Sequence, residues 1–312
     1  MKAVRIEGYG DASVIEVKDD APKPKAGPGQ VLVEIHAASL NPVDSMVRLG
    51  YMKEMAPLNF PATLGGDLAG VVVEVGPGVE GLKIGDAVYG MGSVLAGSSG
   101  AFAEYAAVSA GQLAPMPTKL GFVEAASLPL TGVSALQALT EHIKLKPGDK
   151  ILIHGGAGGI GSAAIQLAKH LGARVVTTVH GEAAAFAKKL GADEILDADK
   201  AGAFDTLDGF DAMFETTRAD LYKSTLGALK KGGVLVSMVG APDSELAKKQ
   251  GVTAMGLGTQ VNTERLRRLA DLVAKGAIEP QVDRVFPLEK AREAFVAREA
   301  GKVRGKIVLE VR

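Results

Sequence analysis

The chain of 312 residues contains no cysteine, no tryptophan and only 4% aromatic residues. The absence of cysteine excludes disulfides, zinc sites with thiolate ligands, iron–sulfur clusters and a catalytic thiol. The chain has 35 basic and 36 acidic residues, so its net charge is close to zero. It also contains no tract of basic residues. We therefore expect neither a nucleic acid nor an anionic membrane as a dedicated partner.

Long apolar segments are also missing. The longest apolar stretches fall well short of the roughly 18 residues that a membrane-spanning helix requires. Residues 1–6 are strand-like and do not form the charged and apolar regions of a signal peptide. These observations predict a cytoplasmic protein without membrane contact, and the 47% hydrophobic composition is sufficient for a buried core.

The residue pattern changes near residue 120. Residues 1–120 contain short β-like runs separated by Gly and Pro, and residues 30–36 alternate apolar and polar side chains as in a half-buried strand. Strand-like and helix-like segments then alternate over residues 121–259, with a helix predicted over 123–139. This alternation indicates an α/β domain with a doubly wound parallel sheet of the Rossmann type.

The last part of the chain, residues 260–312, follows neither pattern completely. It contains two predicted helices, over 264–274 and 289–297, and a final β-like segment at 306–311. A strand at this point has no place after the sixth strand of a Rossmann sheet. We therefore expect it to return to the first domain.

A glycine-rich segment follows a predicted strand and precedes a predicted helix. Its residues in the pattern G-x-G-x-x-G are Gly156, Ala157, Gly158, Gly159, Ile160 and Gly161. In this pattern the first glycine permits a tight turn, the second lets backbone N–H groups approach a pyrophosphate, and the third allows close helix–sheet packing. The helix N-terminus adds a positive dipole end. The sequence therefore predicts a dinucleotide site, although glycine-rich turns also occur for packing alone.

The end of the next predicted strand bears on the choice between NADP and NAD. An acidic residue about 20 residues after the glycines normally bonds the ribose 2′-hydroxyl of NAD. Thr177, Thr178 and His180 occupy this stretch, followed by Glu182. Because the first three are not acidic, we predict NADPH, with Thr178 and His180 among its contacts. Glu182 leaves NADH open, and a solvated loop residue is the other interpretation of His180.

Several motifs occur in a fixed order along nearly the whole chain. They are Asn-Pro-Val-Asp at 41–44, Gly-Gly-Asp-Leu-Ala-Gly at 65–70, Ser-Leu-Pro-Leu-Thr-Gly at 127–132, the segment 148–169 around the glycine loop, and Val-Arg-Gly-Lys-Ile-Val at 303–308. On these motifs the chain resembles the quinone oxidoreductase, or ζ-crystallin, branch of the medium-chain dehydrogenase/reductase superfamily, near its alkenal and enone reductases.

The resemblance implies two domains and an assembly. Residues 1–120, completed by 260–312, would form a β-rich GroES-like catalytic domain, and residues 121–259 a Rossmann domain. The active site would lie in the cleft between them. Relatives commonly pair through the edge of the Rossmann sheet, so we expect a homodimer.

The metal ligands of zinc-dependent relatives are missing from the corresponding motifs. Where those relatives have a Cys, a His–Glu pair and another Cys, this chain has Asn41, Gly66–Asp67 and Ser127. We therefore predict no catalytic zinc. Without a Lewis acid to stabilise an alkoxide, the easier hydride acceptors are quinones and α,β-unsaturated carbonyls, in which the resulting charge is delocalised onto an oxygen.

Two side chains are the candidates for the chemistry. Asn41 can donate amide hydrogens and by resemblance lies near the nicotinamide; a turn residue before Pro42 is the alternative. Tyr51 falls close to where relatives carry a catalytic or substrate-contacting Tyr, and its phenol can donate a proton to an enolate. A partly buried packing residue is the alternative for Tyr51.

Further cofactor contacts are predicted from the family and from the ends of the Rossmann strands. They are Thr131, Thr216, Val239, Gly240 and Lys306. A structural helix hydroxyl is the alternative for Thr131, and a solvated cation is the alternative for Lys306.

Taken together, the sequence predicts an NADPH-dependent reductase of a small apolar quinone or enone. The loops that would form the substrate pocket, such as residues 92–100, do not identify the acceptor. The second hypothesis is a cofactor-binding protein with a structural, regulatory or RNA-binding role and little turnover.

Overall fold

The computed structural model describes residues 1–92, 94, 98–218 and 220–312. The predicted pocket loop 92–100 thus contains four residues outside the described ones: Ser93, Leu95, Ala96 and Gly97. The chain divides into two compact units. The first comprises Met1–Leu130, Val261–Ala274 and Pro280–Arg312, and the second comprises Thr131–Gln260 and Lys275–Glu279. Every described helix is too short or too polar to cross a lipid bilayer.

The regular elements are numbered in chain order. The strands are β1 (Ala3–Ile6), β2 (Glu16–Lys18), β3 (Gln30–Ser39), β4 (Ala62–Thr63), β5 (Asp67–Val75), β6 (Ala87–Met91), β7 (Tyr105–Ser109), β8 (Leu113–Pro115), β9 (Lys150–His154), β10 (Arg174–Val179), β11 (Glu194–Asp197), β12 (Phe210–Glu215), β13 (Leu229–Ser237), β14 (Thr253–Gly256), β15 (Val282–Pro287) and β16 (Lys306–Glu310). The α-helices are α1 (Pro42–Arg48), α2 (Phe122–Ala126), α3 (Pro129–Leu136), α4 (Gly159–His170), α5 (Ala184–Lys189), α6 (Leu221–Thr225), α7 (Ser244–Gln250), α8 (Thr263–Ala274) and α9 (Ala291–Glu299).

The first unit is built on β-sheets, as predicted. Its larger sheet has the order β15-β16-β3-β5-β6-β8, with β7 also paired to β3, and a smaller sheet has the order β2-β1-β4. The final strand β16 pairs antiparallel with β3, where Val308 lies opposite Ser39. The expectation that the last strand joins the first part of the chain is therefore confirmed. Buried side chains such as Ile35, Phe295 and Leu309 form the core of this unit.

The second unit contains the predicted parallel sheet. Its order is β11-β10-β9-β12-β13-β14, and each neighbouring pair is parallel. This is the Rossmann order, and the strand order reverses between β9 and β12, where such sheets bind ligands outside their carboxyl ends. Buried apolar residues of four strands, including Leu152, Val176, Met213 and Leu235, pack on one face.

The prediction of one continuous helix over 123–139 is wrong, because the structure has two helices there. α2 ends at Ala126, and α3 begins at Pro129. A proline inside a helix lacks the N–H donor and clashes with the preceding turn, so it starts a new helix instead. The hydroxyl of Ser127 donates to the carbonyl oxygen of Glu124 at 2.7 Å and closes α2. After α3, residues Gln137–His142 continue as a π-helix.

The returning strand β16 should carry a large share of the stability of the first unit. Leu309 is fully buried, whereas its neighbour Glu310 is exposed. Leu309→Ala should lower the free energy of unfolding by about 2–5 kcal/mol, because the lost apolar contact leaves a cavity. Glu310→Ala, the control on the same strand, should change it by less than about 0.5 kcal/mol. Urea unfolding measures both; equal effects would contradict this account.

Candidate functional site

The turn after β9 is held by glycine and by a threonine of the neighbouring strand. Gly155 has a left-handed φ of 80°, and its N–H donates to Thr178 Oγ1 at 3.1 Å. A Cβ on Gly155 would lie 2.4 Å from Thr217 Cγ2. The N–H of Gly158 donates to the carbonyl oxygen of Gly155 at 3.0 Å, so Gly156 lies within the tight turn, while the left-handed φ falls on Gly155. Gly156 is also constrained by packing, because its Cβ would lie 2.2 Å from Thr177 Oγ1.

The first turn of α4 lies directly against this loop. A Cβ on Gly161 would be 2.1 Å from the carbonyl oxygen of Gly155, so this position admits glycine alone. Gly158 is different: among the described residues, its Cβ would have the Gly155 oxygen, at 3.4 Å, as its one neighbour within 4 Å. Gly156 and Gly161 are therefore required by packing, whereas Gly158 keeps a surface bare.

The surface left open at Gly158 lies at the N-terminus of α4. α4 begins at Gly159, and the N–H of Ser162 donates to the carbonyl oxygen of Gly158 at 2.9 Å. The N–H groups of residues 159–161 precede this bond and have no partner within the helix. Backbone donors, the positive end of the helix dipole and the lack of a side chain at Gly158 together fit the pyrophosphate of a dinucleotide.

His154, the last residue of β9, ties the turn to its surroundings. Its ring is buried, with Nε2 3.0 Å from Thr225 Oγ1 and Nδ1 3.3 Å from Thr178 Oγ1. Its carbonyl oxygen accepts a hydrogen bond from Thr216 Oγ1 at 2.6 Å. Burial lowers the pKa of His154 to about 4, so the ring is neutral. The hydroxyls of Thr178 and Thr216 thus support the loop, and their contact with a cofactor stays a prediction.

A loop that follows β12 is supported by a buried carboxyl group. Glu215 Oε1 accepts hydrogen bonds from Thr217 N at 2.6 Å, Thr217 Oγ1 at 2.6 Å and Arg218 N at 3.3 Å. Burial raises the pKa of Glu215.

The predicted contacts after β13 are less enclosed: Val239 N donates to Ser237 Oγ at 3.2 Å. Gly240 has a φ of 119° and an open Cβ position among the described residues.

A hydrogen-bonded pair of side chains lies at the ends of β10 and β11. His180 Nδ1 is 2.8 Å from Asp199 Oδ1, and the N–H of Gly181 donates to Asp199 Oδ2 at 3.2 Å. The hydrogen bond with His180 is the main reason that the pKa of Asp199 is lowered. The sequence analysis singled out His180 and missed Asp199. Its position just after the neighbouring parallel strand was the available signal.

In the first unit, Asn41 directly precedes α1. Its backbone is extended, Pro42 takes the first helical position, and the Asn41 N–H donates to Asp44 Oδ2 at 2.7 Å. This is the pattern of a helix start with proline at its first position. Asn41 is thus a helix cap. Asp44 is buried, and that burial raises its pKa to about 7.

The Asn41 amide is fixed in a buried polar cluster formed by Asn41, Asp67 and Lys306. Asn41 Nδ2 donates to Asp67 Oδ2 at 2.9 Å, and Lys306 Nζ donates to Asn41 Oδ1 and, at 2.7 Å, to the carbonyl oxygen of Leu40. These bonds leave one amide hydrogen of Asn41. Lys306 is buried, so its interpretation as a solvated cation is wrong. Its contact with a cofactor stays a prediction.

Asp67 is the anionic centre of the buried polar cluster. Its Oδ2 also lies 3.3 Å from Ser39 Oγ and 3.6 Å from Lys306 Nζ, and its Oδ1 accepts the N–H of Leu130 at 3.0 Å. Burial raises the pKa of Asp67 and lowers that of Lys306, while each charge opposes the shift of the other. The ion pair and its hydrogen bonds therefore form a unit that is stable only when complete.

Tyr51 lies just beyond α1, and its side chain is 74% exposed. Among the described residues its hydroxyl has no hydrogen-bond partner, in contrast to Tyr89, whose hydroxyl donates to Leu266 O at 2.5 Å. The alternative of a partly buried packing residue is therefore wrong for Tyr51. Met55, four residues on, is also exposed. Thr131, in contrast, is buried in α3.

Comparisons with known proteins identify the family. Residues 27–118 match the model described as alcohol dehydrogenase GroES-like domain, and residues 190–309 the model described as zinc-binding dehydrogenase. Over 99% of this chain and 79% of the relative, the sequence is 37% identical to 2-methylene-furan-3-one reductase of Solanum lycopersicum. The NADPH-dependent alkenal/one oxidoreductase, chloroplastic, of Arabidopsis thaliana is 35% identical over the same shares.

A solved structure agrees with these sequence matches. The quinone oxidoreductase from Coxiella burnetii is 36% identical and superposes with a TM-score of 0.91, over 100% of this chain and 99% of the other. The chain belongs to the medium-chain dehydrogenase/reductase family. The predicted combination of a GroES-like domain and a Rossmann sheet is thereby confirmed, and the chain is an oxidoreductase of this family.

The residues that the motifs align with the zinc ligands of relatives make other hydrogen bonds in this structure. Among the described residues, no three His, Asp or Glu side chains are grouped so that they could hold a metal ion. Asn41 and Asp67, which the sequence analysis aligned with two of these ligands, bond to each other and to Lys306. Ser127, at a third, has its hydroxyl on the carbonyl of Glu124.

The buried ring of His154 should make the oxidoreductase sensitive to mild acid. The unfolded chain binds a proton on this residue below about pH 6.5, the ordinary value for histidine, whereas the folded chain does so only near pH 4. The contribution of His154 to stability therefore decreases as the pH falls from about 6.5 to 4, by about 3 kcal/mol at most.

His154→Asn should remove this part of the pH dependence, as urea unfolding between pH 7 and pH 4 measures. The exposed His170→Asn, in α4, is the control and should retain the slope of the parent protein. An identical slope in the parent protein and in His154→Asn would contradict the assignment.

Proposed function

We propose that this oxidoreductase transfers a hydride from NADPH to quinones or α,β-unsaturated carbonyl compounds without a metal ion. The observation that carries the proposal is the turn at Gly158, which precedes the backbone donors of a helix start and where an added Cβ would meet only the Gly155 oxygen, at 3.4 Å, among the described residues. The named activities of the relatives support the substrate class and NADPH. A binding protein with little turnover is not favoured by these relatives.

The residues of the second unit would bind and orient the dinucleotide. The pyrophosphate would rest on the amides of the loop from Gly156 to Gly161, and Thr216, Val239 and Gly240 stand at the carboxyl ends of the next strands. Thr131, Thr178 and His180 complete the proposed contacts. When bound, the reduced nicotinamide supplies the hydride, and the protein supplies orientation and exclusion of water.

The buried polar cluster supports a reaction that needs no Lewis acid. Lys306 bonds to Asn41 Oδ1 and Asp67 accepts one Nδ2 hydrogen, which fixes the plane of the amide. A cation on the amide oxygen polarises the group, so the remaining Nδ2 hydrogen becomes a stronger donor. Asn41 would offer this hydrogen to the oxygen on which negative charge develops. The set of amide, hydroxyl and paired carboxylate is a poor one for zinc, which prefers Cys and His.

The proton that an enone requires would come from Tyr51. Its hydroxyl is exposed and has no partner among the described residues, so no other bond must break before it donates. Reduced quinones differ, because their phenolate oxygens can take protons from water. The homodimer, the cytoplasmic location and the domain bounds derived from the sequence accompany this proposal as expectations.

Turnover measurements test the proposed function. Purified protein treated with EDTA should oxidise NADPH, followed by nicotinamide absorbance, when a simple quinone or a small enone is added. Saturated aldehydes should give little turnover. Absence of turnover with every quinone and enone, or loss of activity on EDTA treatment that zinc restores, would overturn it. NADPH binding without any turnover would favour the binding-protein hypothesis.

Substituting the bare glycine should separate cofactor binding from folding. Gly158→Ala should weaken NADPH binding at least about tenfold, because a methyl group would stand where the pyrophosphate approaches the backbone. The free energy of unfolding should fall by less than about 1 kcal/mol, the cost of alanine at an N-cap. Gly227→Ala, which also has open space at its Cβ, should leave binding intact. Calorimetric titration measures affinity, and undiminished affinity in Gly158→Ala would contradict the proposed site.

Removing the phenol should affect enones more than quinones. Tyr51→Phe should lower kcat for an enone by about 100-fold, the usual contribution of a positioned general acid. The kcat for a quinone should change little, since its product oxygens are protonated by water. Tyr105→Phe, on β7, removes a hydroxyl bonded to Glu34 and is the control. Equal losses for both substrates in Tyr51→Phe would rule out a role in proton transfer.

A further inference from the structure

The hydrogen-bonded pair of His180 and Asp199 occupies the part of a Rossmann sheet that meets the adenosine ribose. In such sheets the glycine loop follows one strand, here β9, and the adenosine ribose lies beyond the carboxyl end of the neighbouring strand, here β10. Asp199 comes from the next strand outward, β11, and its carboxylate reaches back to His180 and to the backbone of Gly181. The fold therefore places a carboxylate, that of Asp199, beside His180 at the end of β10, where the sequence directly after the strand has no acidic residue until Glu182.

The carboxylate of Asp199 has both the access and the capacity to take another hydrogen bond. Its side chain is 60% exposed, and that of His180 is 74% exposed. An ionised carboxylate offers about four acceptor positions, of which the His180 ring and the Gly181 N–H use two. The pKa of Asp199 is lowered, so the group is ionised at neutral pH. A ribose hydroxyl is a donor of the kind that it can accept.

The surrounding charge is unfavourable to a phosphate. The carboxyl ends of the two strands, residues 177–182 and 197–200, carry three acidic residues, Glu182, Asp197 and Asp199, against one lysine, Lys200, besides His180. The Asp199 N–H is itself directed to Asp197 Oδ1 at 3.1 Å. A 2′-phosphate carries close to two negative charges at neutral pH and would approach this group against its field.

We propose that Asp199, held by His180 and Gly181, is a residue that sets cofactor choice in this chain. It accepts the ribose 2′-hydroxyl of NADH and opposes the 2′-phosphate of NADPH, so that the protein uses NADH as well as NADPH. This inference rests on the proposed function, since it concerns the same dinucleotide site. If Asp199 acts in this way, the protein prefers NADPH over NADH less strongly than the name of its NADPH-dependent relative suggests.

Asp199→Asn tests the inference, because it removes the charge and keeps the size and exposure of the side chain. Calorimetric titration of the full chain should use NADPH, NADH, adenosine 2′,5′-bisphosphate and adenosine 5′-monophosphate. The variant should bind NADPH and the bisphosphate roughly tenfold more tightly, the scale of one charge repulsion removed at the surface. It should bind NADH and the monophosphate a few-fold more weakly, since a charged acceptor becomes a neutral one.

Glu194→Gln is the matched control, because Glu194 begins β11 at the opposite edge of the sheet. It changes the net charge equally and should leave the ratio of NADPH to NADH affinity as in the parent protein. An unchanged ratio in Asp199→Asn, or the same change in Glu194→Gln, would overturn the inference while both coenzymes still bind. Failure of the parent protein to bind either coenzyme would instead overturn the proposed function.

Discussion

The contact between the start of α4 and the carbonyl oxygen of Gly155 is the constraint on which the nucleotide-binding unit depends. At this distance a methyl group at Gly161 would overlap the oxygen, so the helix can approach the end of β9 only with glycine there. The approach fixes the direction of the helix end and its free amides. Thr178 and Thr216 then hold the turn from two neighbouring strands. A binding surface made only of backbone follows from packing.

The first unit depends on a different principle, the mutual neutralisation of buried charges. Lys306 on the last strand, Asp67 on β5 and Asn41 before α1 meet although they are far apart along the chain. Each charge would be costly to bury alone, and the pair is satisfied only by the hydrogen bonds of Ser39, Asn41 and the backbone. The same bonds that secure the fold orient the amide proposed for the chemistry.

Local patterns explain why the fold was largely predictable from the sequence. The glycine motif, the alternation of strands and helices and the unplaced last strand depend on neighbouring residues and on sheet topology. The side chains that complete each site were not predictable, because they come from distant segments. Asp199 reaches His180 from another strand, and Lys306 is buried only because β16 pairs with β3. The left-handed φ of the turn falls on Gly155, just before the motif, because motif spacing does not specify φ.

The two sites differ in how freely their residues can change. A substitution in the cluster of Asn41, Asp67 and Lys306 leaves a buried charge or a buried donor without its partner, which costs several kcal/mol. The pair of His180 and Asp199 is exposed, and even a full ion pair at a surface contributes at most about 1 kcal/mol to stability. The residues proposed to contact the adenosine end can therefore vary with little effect on folding, whereas those proposed to act on the substrate oxygen cannot. Cofactor choice is thus the property that this fold can alter most easily while its chemistry stays fixed.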